Sequence, residues 1–177
     1  WASMYLYVPT LPVYAEEITG DLVMVGTILS MYGLWQAIVR LPLGITADWI
    51  GRRKPFLILG FALAALGAWV MGTTSTGGGL LVGRAITGLA AAAWVPLVVL
   101  FSSLFPPHEA VRAAALLSIV NSLSRVIATG LTGVINDLSG GYGLAFFLAA
   151  GRAGLAILVT LPVREEARPP KKPSLRG

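Results

Sequence analysis

Five long apolar runs leave this chain few folds to adopt. They occupy about 22–43, 55–73, 80–105, 111–135 and 142–161, and each is close to the roughly 17–25 residues that cross a bilayer as an α-helix. They lack the alternation of barrel strands, and lipid offers no water to an unpaired backbone, so helices are predicted. A shorter run before Glu16 predicts the end of a first helix that begins before Trp1. The predicted fold class is an all-α, transmembrane helical bundle of six spans.

The composition excludes most other classes of protein. Hydrophobic residues make up 56% of the chain and charged residues 12%, with a mean hydropathy of +0.79, against about 45–50% and 25% in soluble domains. With no Cys and a single His, we expect no metal site and no cofactor. No carboxylate pair or nucleophile with its base is visible, so an enzyme is not expected. The formal charge of +5 does not indicate nucleic-acid binding, because the basic residues lie between or inside apolar runs.

The basic residues predict the orientation of the spans. Arg52, Arg53 and Lys54 follow the second span, Arg112 follows the fourth, and five more Lys and Arg residues follow the sixth, whereas the alternate connections contain none. By the positive-inside rule, the N-terminus, loops 2-3 and 4-5 and the tail are predicted to be cytoplasmic, in a plasma or inner membrane. Residues 1–162 would form the bundle. The Pro-rich, charged residues 163–177 predict a cytoplasmic linker, or else a solvated or lipid-binding tail.

The sequence also contains a short internal repeat. GITADWIG, after the second span, and GVINDLSG, after the fifth, share the pattern G-x-x-x-D-x-x-G. The shared residues are Gly44, Asp48 and Gly51 in the first copy and Gly133, Asp137 and Gly140 in the second. Three helices separate the copies, and the charge rule assigns them to opposite sides of the membrane. That arrangement is typical of an inverted repeat of three plus three helices.

The stretch GITADWIGRRKPF resembles the loop 2-3 signature of the major facilitator superfamily. It departs from the family pattern at Thr46 and Trp49. RAITGLAAAA, from Arg84, is similar to the family's helix 4 pattern, and FPPHEAVRA is loosely similar to its charged loop 4-5. The residues that match the loop 2-3 signature are Gly44, Ala47, Asp48, Gly51, Arg52 and Arg53. The resemblance covers essentially the whole chain, as an N-terminal six-helix half with the start of the central linker.

This resemblance implies a conformational latch in loop 2-3, which contacts a partner bundle when the cytoplasmic side is closed. The glycines would allow close helix approach and unusual backbone angles, while carboxylate and guanidinium groups form charge-assisted hydrogen bonds. Arg112 would be a latch partner of Asp48. The latch set is Gly44, Asp48, Gly51, Arg52 and Arg53. A topology signal alone would explain the basic run but not the aspartate or the glycines.

Four arginines lie within or at the ends of spans. A charge at the helix centre costs about 2.5–3.5 kcal/mol on insertion scales, so each is a functional candidate. Arg84 and Arg125 are the substrate or coupling candidates; Arg152 and Arg40 could instead snorkel to the interface. Arginines that line a cavity would favour an anionic substrate or carboxylates from a second half.

The predicted function is a secondary active transporter of the major facilitator type, exporting a drug or metabolite by proton exchange through alternating access. Its partners would be a small-molecule substrate, protons, the lipid bilayer and a second six-helix half after residue 177. An organic-anion symporter or uniporter is the alternative, because SRVIATGLTGVIND lacks the Gly-Pro step of the family's antiporters and no acid lies in a span. A non-transporting six-helix membrane scaffold is the alternative from another class.

Overall fold

The structure is a computed structural model that describes residues 2–163, and that part of the chain is helical. Five of its helical segments are long and apolar enough to cross a membrane, which confirms the predicted fold class. The predicted linker, apart from Val163, lies outside the described residues. The helices are α1 (Ala2–Tyr5), α2 (Leu11–Thr19), α3 (Leu22–Ile50), α4 (Lys54–Thr73), α5 (Gly77–Ala91), α6 (Trp94–Ser102), α7 (Ala110–Ser139) and α8 (Gly143–Thr160), with a 3₁₀ turn at Pro107–Glu109.

The five candidate spans follow the five apolar runs. They are α3, α4, the pair α5 and α6, α7 and α8. The largest difference in bounds is at α3, which continues to Ile50 through the polar residues of the first repeat copy instead of ending near residue 43. Hydropathy marks where lipid contact ends, but a helix continues until its backbone is capped.

Two prolines interrupt segments that the hydropathy pattern represents as continuous. A proline inside a helix clashes with the carbonyl four residues earlier. For Pro9 that residue is Tyr5, where α1 ends, and for Pro96 it is Ala92, in the break between α5 and α6. Around the second break the backbone forms tighter bonds, from Ala92 N to Leu89 O at 3.2 Å and from Ala93 N to Ala90 O at 3.1 Å. The first and fourth spans are therefore both broken.

Helix α5 occupies the centre of the bundle and packs against α3 and α4, while α8 packs on the other side of α4. α3 and α5 approach closely at Gly88, where an added Cβ would lie 2.6 Å from the carbonyl oxygen of Tyr32 on α3. A side chain at this position would therefore separate α3 from α5. The short helices α1 and α2 are also part of the core, and the ring of Tyr7 stacks on that of Phe146 at 4.9 Å.

Polar contacts identify the two ends of the bundle. At the first end, which carries loop 2-3 and is called the basic end below, Lys54 Nζ donates to the carbonyl oxygens of Leu161 and of Val163, the latter at 3.0 Å. At the opposite end, the Tyr142 hydroxyl donates to Glu17 Oε1 at 3.1 Å. The helices thus alternate in direction.

The two repeat copies terminate their helices in the same way. Gly51 follows the last residue of α3 with φ +69°, and Gly140 follows the last residue of α7 with φ +63°. These left-handed values favour glycine, so the expected unusual backbone angle is present at both. Close helix approach is not required at Gly44, where an added Cβ would lie at an ordinary 3.5 Å from Val95 Cγ1.

Candidate functional site

A polar cavity of about 210 Å³ lies among α1, α3, α6 and α7. Its lining combines aromatic rings with amide and guanidinium groups. The lining residues are Met4, Tyr5, Tyr32, Gln36, Arg40, Trp94 and Asn121. Apolar and aromatic walls with a few convergent polar groups are typical of sites that bind small molecules.

The cavity lies beside both helix breaks. Tyr5 is the last residue of α1, before the break at Pro9, and Trp94 is the first residue of α6, after the break between α5 and α6. In inverted-repeat transporters, proline-interrupted spans at corresponding positions mark the binding site. The first and fourth spans occupy corresponding positions when three helices form the repeat, so the breaks and the cavity indicate the same place.

Backbone groups freed by the first break are paired inside the protein. The hydroxyl of Thr132, on α7, lies 2.8 Å from the carbonyl oxygen of Leu6 in the unwound segment. Thr132 is buried. Non-helical backbone is tolerated at membrane depth when neighbouring side chains satisfy it, so α7 stabilises the broken segment next to the cavity.

Arg84 is buried against the cavity wall. The residue is 6% exposed, and its guanidinium carbon lies 4.6 Å from the ring centroid of Tyr32. This cation–π contact places a positive charge behind a ring that lines the cavity. Nε and Nη1 of Arg84 have no hydrogen-bond partner among residues 2–163, and neither does the hydroxyl of Tyr7, which interacts with Arg84 electrostatically. A buried charge with unused donors is costly.

Arg125, on α7, contacts a different ring of the cavity lining. Its guanidinium carbon is 5.0 Å from the ring centroid of Tyr5, and the residue is exposed. Asn121, one turn earlier on α7, lines the cavity, and its Oδ1 is buried without a hydrogen-bond partner in the described part of the chain. With Arg40 in the lining, three arginines surround the cavity, and no carboxylate is among its lining residues.

A second, more open and mainly apolar cavity of about 460 Å³ extends toward the basic end. It follows one face of α3 and is closed on the other side by Val95 of α6. Arg40 lines both cavities, and Asp48 lines the second. One exposed arginine therefore lies between the polar cavity and loop 2-3.

Within loop 2-3 the ion pair joins Asp48 to Arg53. Asp48 Oδ1 lies 2.7 Å from Arg53 Nη2, with side-chain exposures of 57% and 13% respectively. Of the two arginines in the latch set, Arg53 and not Arg52 therefore forms this ion pair. Arg112 has its ion pair with Glu109, at 3.4 Å from Nη1 to Oε2. The latch itself, which concerns contacts with a second bundle, stays a prediction.

Most of the residues that line the cavity could not be identified from the sequence. Tyr5, Tyr32, Gln36 and Trp94 were not candidates, because aromatic and amide residues are common in spans for packing alone. The available signal was the position of Pro9 and Pro96 in the first and fourth spans. Arg152 is exposed on α8 and does not line either cavity.

Five apolar spans with a polar cavity between broken helices define a multi-pass membrane protein with the architecture of a solute carrier. The sequence pattern of the Major Facilitator Superfamily matches residues 1–177, and the chain belongs to that family. The named relatives in that family are transporters and not enzymes.

Relatives of this chain include named transporters. The chain is 28% identical to the inner membrane transport protein YajR of Escherichia coli, with 89% of this chain and 35% of that protein covered. It is 29% identical to a chloramphenicol efflux pump of Mycobacterium tuberculosis, with 98% and 46% covered. It is also 29% identical to the class H tetracycline resistance protein of Pasteurella multocida, with 88% and 39% covered. The chain thus spans less than half the length of these relatives.

Proposed function

We propose that this bundle is half of a secondary transporter that exports a small molecule by alternating access. The polar cavity between the two broken spans carries the proposal, because a site at this position is accessible to either side when two bundles rock against one another. The relatives named for chloramphenicol efflux and tetracycline resistance support export as the direction.

We propose proton exchange as the driving reaction, with Arg84 as the coupling residue of this half. Its buried guanidinium has two unpartnered nitrogens among the described residues, so a carboxylate brought near it in another state would be strongly attracted. In the part of the chain that the structure describes, no Asp or Glu lines the polar cavity. The proton-carrying acid would then belong to another part of the transporter.

The second bundle is part of the same proposal. Helices α3 and α7 are the least buried of the five spans, and both line the polar cavity through Tyr32 and Asn121. A facing bundle that covers them would complete the cavity. We expect residues 1–177 alone in proteoliposomes to give no saturable flux above that of empty vesicles.

Loop 2-3 is proposed to be the cytoplasmic latch of this transporter. The exposed Asp48 carboxylate beside Arg53 can accept a further hydrogen bond from a second bundle, and loss of that contact would shift the inward–outward equilibrium without touching the substrate. The basic end would then face the cytoplasm. Single cysteines introduced at Trp49 and Leu138 test the orientation, since the 177 residues contain no Cys. A membrane-impermeant thiol reagent added outside intact cells should label position 138 and not 49.

Uptake or facilitated passage of an organic anion, by symport or uniport, is the second candidate. The positive charges of Arg40, Arg84 and Arg125 around a cavity without lining carboxylates favour it. Direction separates the two candidates. A protonophore should raise the accumulation of an exported substrate in cells and should lower that of a symported one.

The test uses the full-length product of the natural gene expressed in cells that lack their own drug exporters. Accumulation of chloramphenicol, tetracycline and radiolabelled aromatic acids is measured for the wild type, Arg84→Ala, Arg125→Ala and the exposed control Arg152→Ala. We expect the control to transport normally and the first two variants to lose most of the flux. Unchanged flux of every substrate in Arg84→Ala and Arg125→Ala would refute the role of these arginines.

A further inference from the structure

The polar cavity has two features that together restrict its ligand. Three aromatic side chains, Tyr5, Tyr32 and Trp94, line it from three different helices. An exposed guanidinium, that of Arg40, lines it as well. Aromatic walls select flat rings through stacking and edge contacts, and an arginine binds a carboxylate through paired hydrogen bonds.

The charge on the cavity is not neutralised from within. Arg40 has no ion-pair partner in residues 2–163, where the two ion pairs are Asp48 with Arg53 and Glu109 with Arg112. Arg84 and Arg125 lie behind Tyr32 and Tyr5 and make the cavity more electropositive. Of these three arginines, only Arg40 is among the residues that line the cavity, so it is the arginine that a ligand in the cavity reaches directly.

Asn121 supplies the second polar contact. Its Oδ1 is buried and lacks a donor among the described residues, although a buried carbonyl oxygen of this kind normally has one. Once the Asn121 side chain rotates toward the cavity, a ligand hydroxyl or amine that donates to this oxygen would complete the pairing. Asn121 is on α7 and Arg40 on α3, so one ligand would contact two helices that otherwise line the cavity separately.

The size of the cavity favours a small ligand. Its volume of about 210 Å³ is below the roughly 300–1,000 Å³ of sites for drug-sized molecules. A single substituted ring is of suitable size for the share of the site that this bundle provides.

We propose that the polar cavity binds a small aromatic carboxylate, with its ring among Tyr5, Tyr32 and Trp94, its carboxylate on Arg40 and a ring hydroxyl or amine donating to Asn121 Oδ1. This inference rests on the proposed function, since it names the substrate class of the same cavity. It applies to export and to uptake alike.

Three ligands of nearly the same shape test the proposal by separating charge from aromaticity. The probes are 4-hydroxybenzoate, the uncharged 4-hydroxybenzamide and the non-aromatic trans-4-hydroxycyclohexanecarboxylate. Binding to the purified full-length protein in lipid nanodiscs is measured by isothermal titration calorimetry. We expect 4-hydroxybenzoate to bind at least about tenfold more tightly than either analogue, a factor that corresponds to 1.4 kcal/mol. Equal affinities for the benzoate and the benzamide would overturn the assignment of Arg40.

Variants test whether the preference for benzoate over benzamide arises at the polar cavity. Arg40→Gln should reduce the preference for benzoate over benzamide to less than about threefold, because glutamine retains a hydrogen-bond donor but has neither the positive charge nor the paired donors of the guanidinium. Arg40→Lys should retain part of the preference. Arg152→Gln, which removes an exposed arginine outside both cavities, should change neither. Each variant is used only after its thermal midpoint is shown to match that of the wild type. A preference that survives in Arg40→Gln would contradict the proposal.

Binding and transport are measured separately, so that the two proposals fail separately. Charge-selective binding without flux of 4-hydroxybenzoate would support the ligand class and contradict the proposed transport of it. Flux of chloramphenicol or tetracycline without binding of 4-hydroxybenzoate would support the proposed export and contradict the ligand class.

Discussion

Two junctions between helices have the same backbone conformation but different side chains. One joins α3 to α4 and the other joins α7 to α8. Both helices end at a left-handed glycine, Gly51 or Gly140, three residues after the repeat's aspartate. At the first junction the residue two positions later is Arg53, which pairs with Asp48. At the second it is Tyr142, which donates to Glu17 on a different helix. The repeat therefore preserves the helix ending, while the polar contact differs at each end.

Replacing either glycine should have the largest effect on stability. Alanine at a left-handed position costs about 1–2 kcal/mol, so Gly51→Ala and Gly140→Ala should each lower the free energy of unfolding by that amount. Gly44→Ala is the matched control, because its Cβ would find an ordinary contact at 3.5 Å. Titration with sodium dodecyl sulfate, followed by circular dichroism, measures all three. A Gly44→Ala loss as large as the other two would show that the glycines share a packing role instead.

Replacing Lys54 should have the next largest effect on stability. This lysine has no counterpart at the second junction. Its ammonium donates to the carbonyl oxygens of Leu161 and Val163, which follow the last residue of α8, where the chain no longer forms helical hydrogen bonds of its own. Lys54→Met should therefore lower the free energy of unfolding by about 1 kcal/mol. The corresponding change at the second junction, Gly143→Ala, should have almost no effect, since its added Cβ would meet only the far end of Phe147 at 4.0 Å. Equal losses would mean that Lys54 does not secure α8.

The sequence predicted the helices because their main determinant, apolar length, is local. The sequence repeat also predicted equivalent positions for Gly51 and Gly140, and both have the same left-handed conformation. It did not predict which arginine pairs with Asp48. Arg52 and Arg53 are adjacent and chemically identical, and the direction of the backbone after Gly51 decides which of them reaches the carboxylate. Nor did it predict the cavity, since Tyr5 and Asn121 are brought together by helix packing between distant parts of the chain. Such contacts depend on tertiary geometry, which periodicity does not encode.

The ion pair of the first junction should contribute little to stability. Asp48 is more than half exposed, and exposed pairs contribute about 0–1 kcal/mol. A double-mutant cycle with Asp48→Asn and Arg53→Gln should therefore give a coupling energy below about 1 kcal/mol, and the coupling should decrease further at 1 M salt. In the full-length transporter, Asp48→Asn should still alter the accessibility of a cavity cysteine. A variant without that effect would contradict the latch.

The contact of the second junction should contribute least, and it should respond to pH and not to salt. The hydrogen bond to Glu17 raises the pKa of the Tyr142 hydroxyl above its usual value. A group whose pKa is raised in the folded state stabilises the fold at a pH below its unfolded pKa, here about 10. That stabilisation is lost as the pH rises through the folded pKa. The difference in thermal midpoint between wild type and Tyr142→Phe should thus be small and constant between pH 6 and 9, and it should disappear as the pH rises above about 10. The difference between wild type and Tyr142→Phe should be the same in low and high salt, because the donor is uncharged. A salt-dependent difference would mean that both junctions rely on charge, and that only the partner of the carboxylate differs between them.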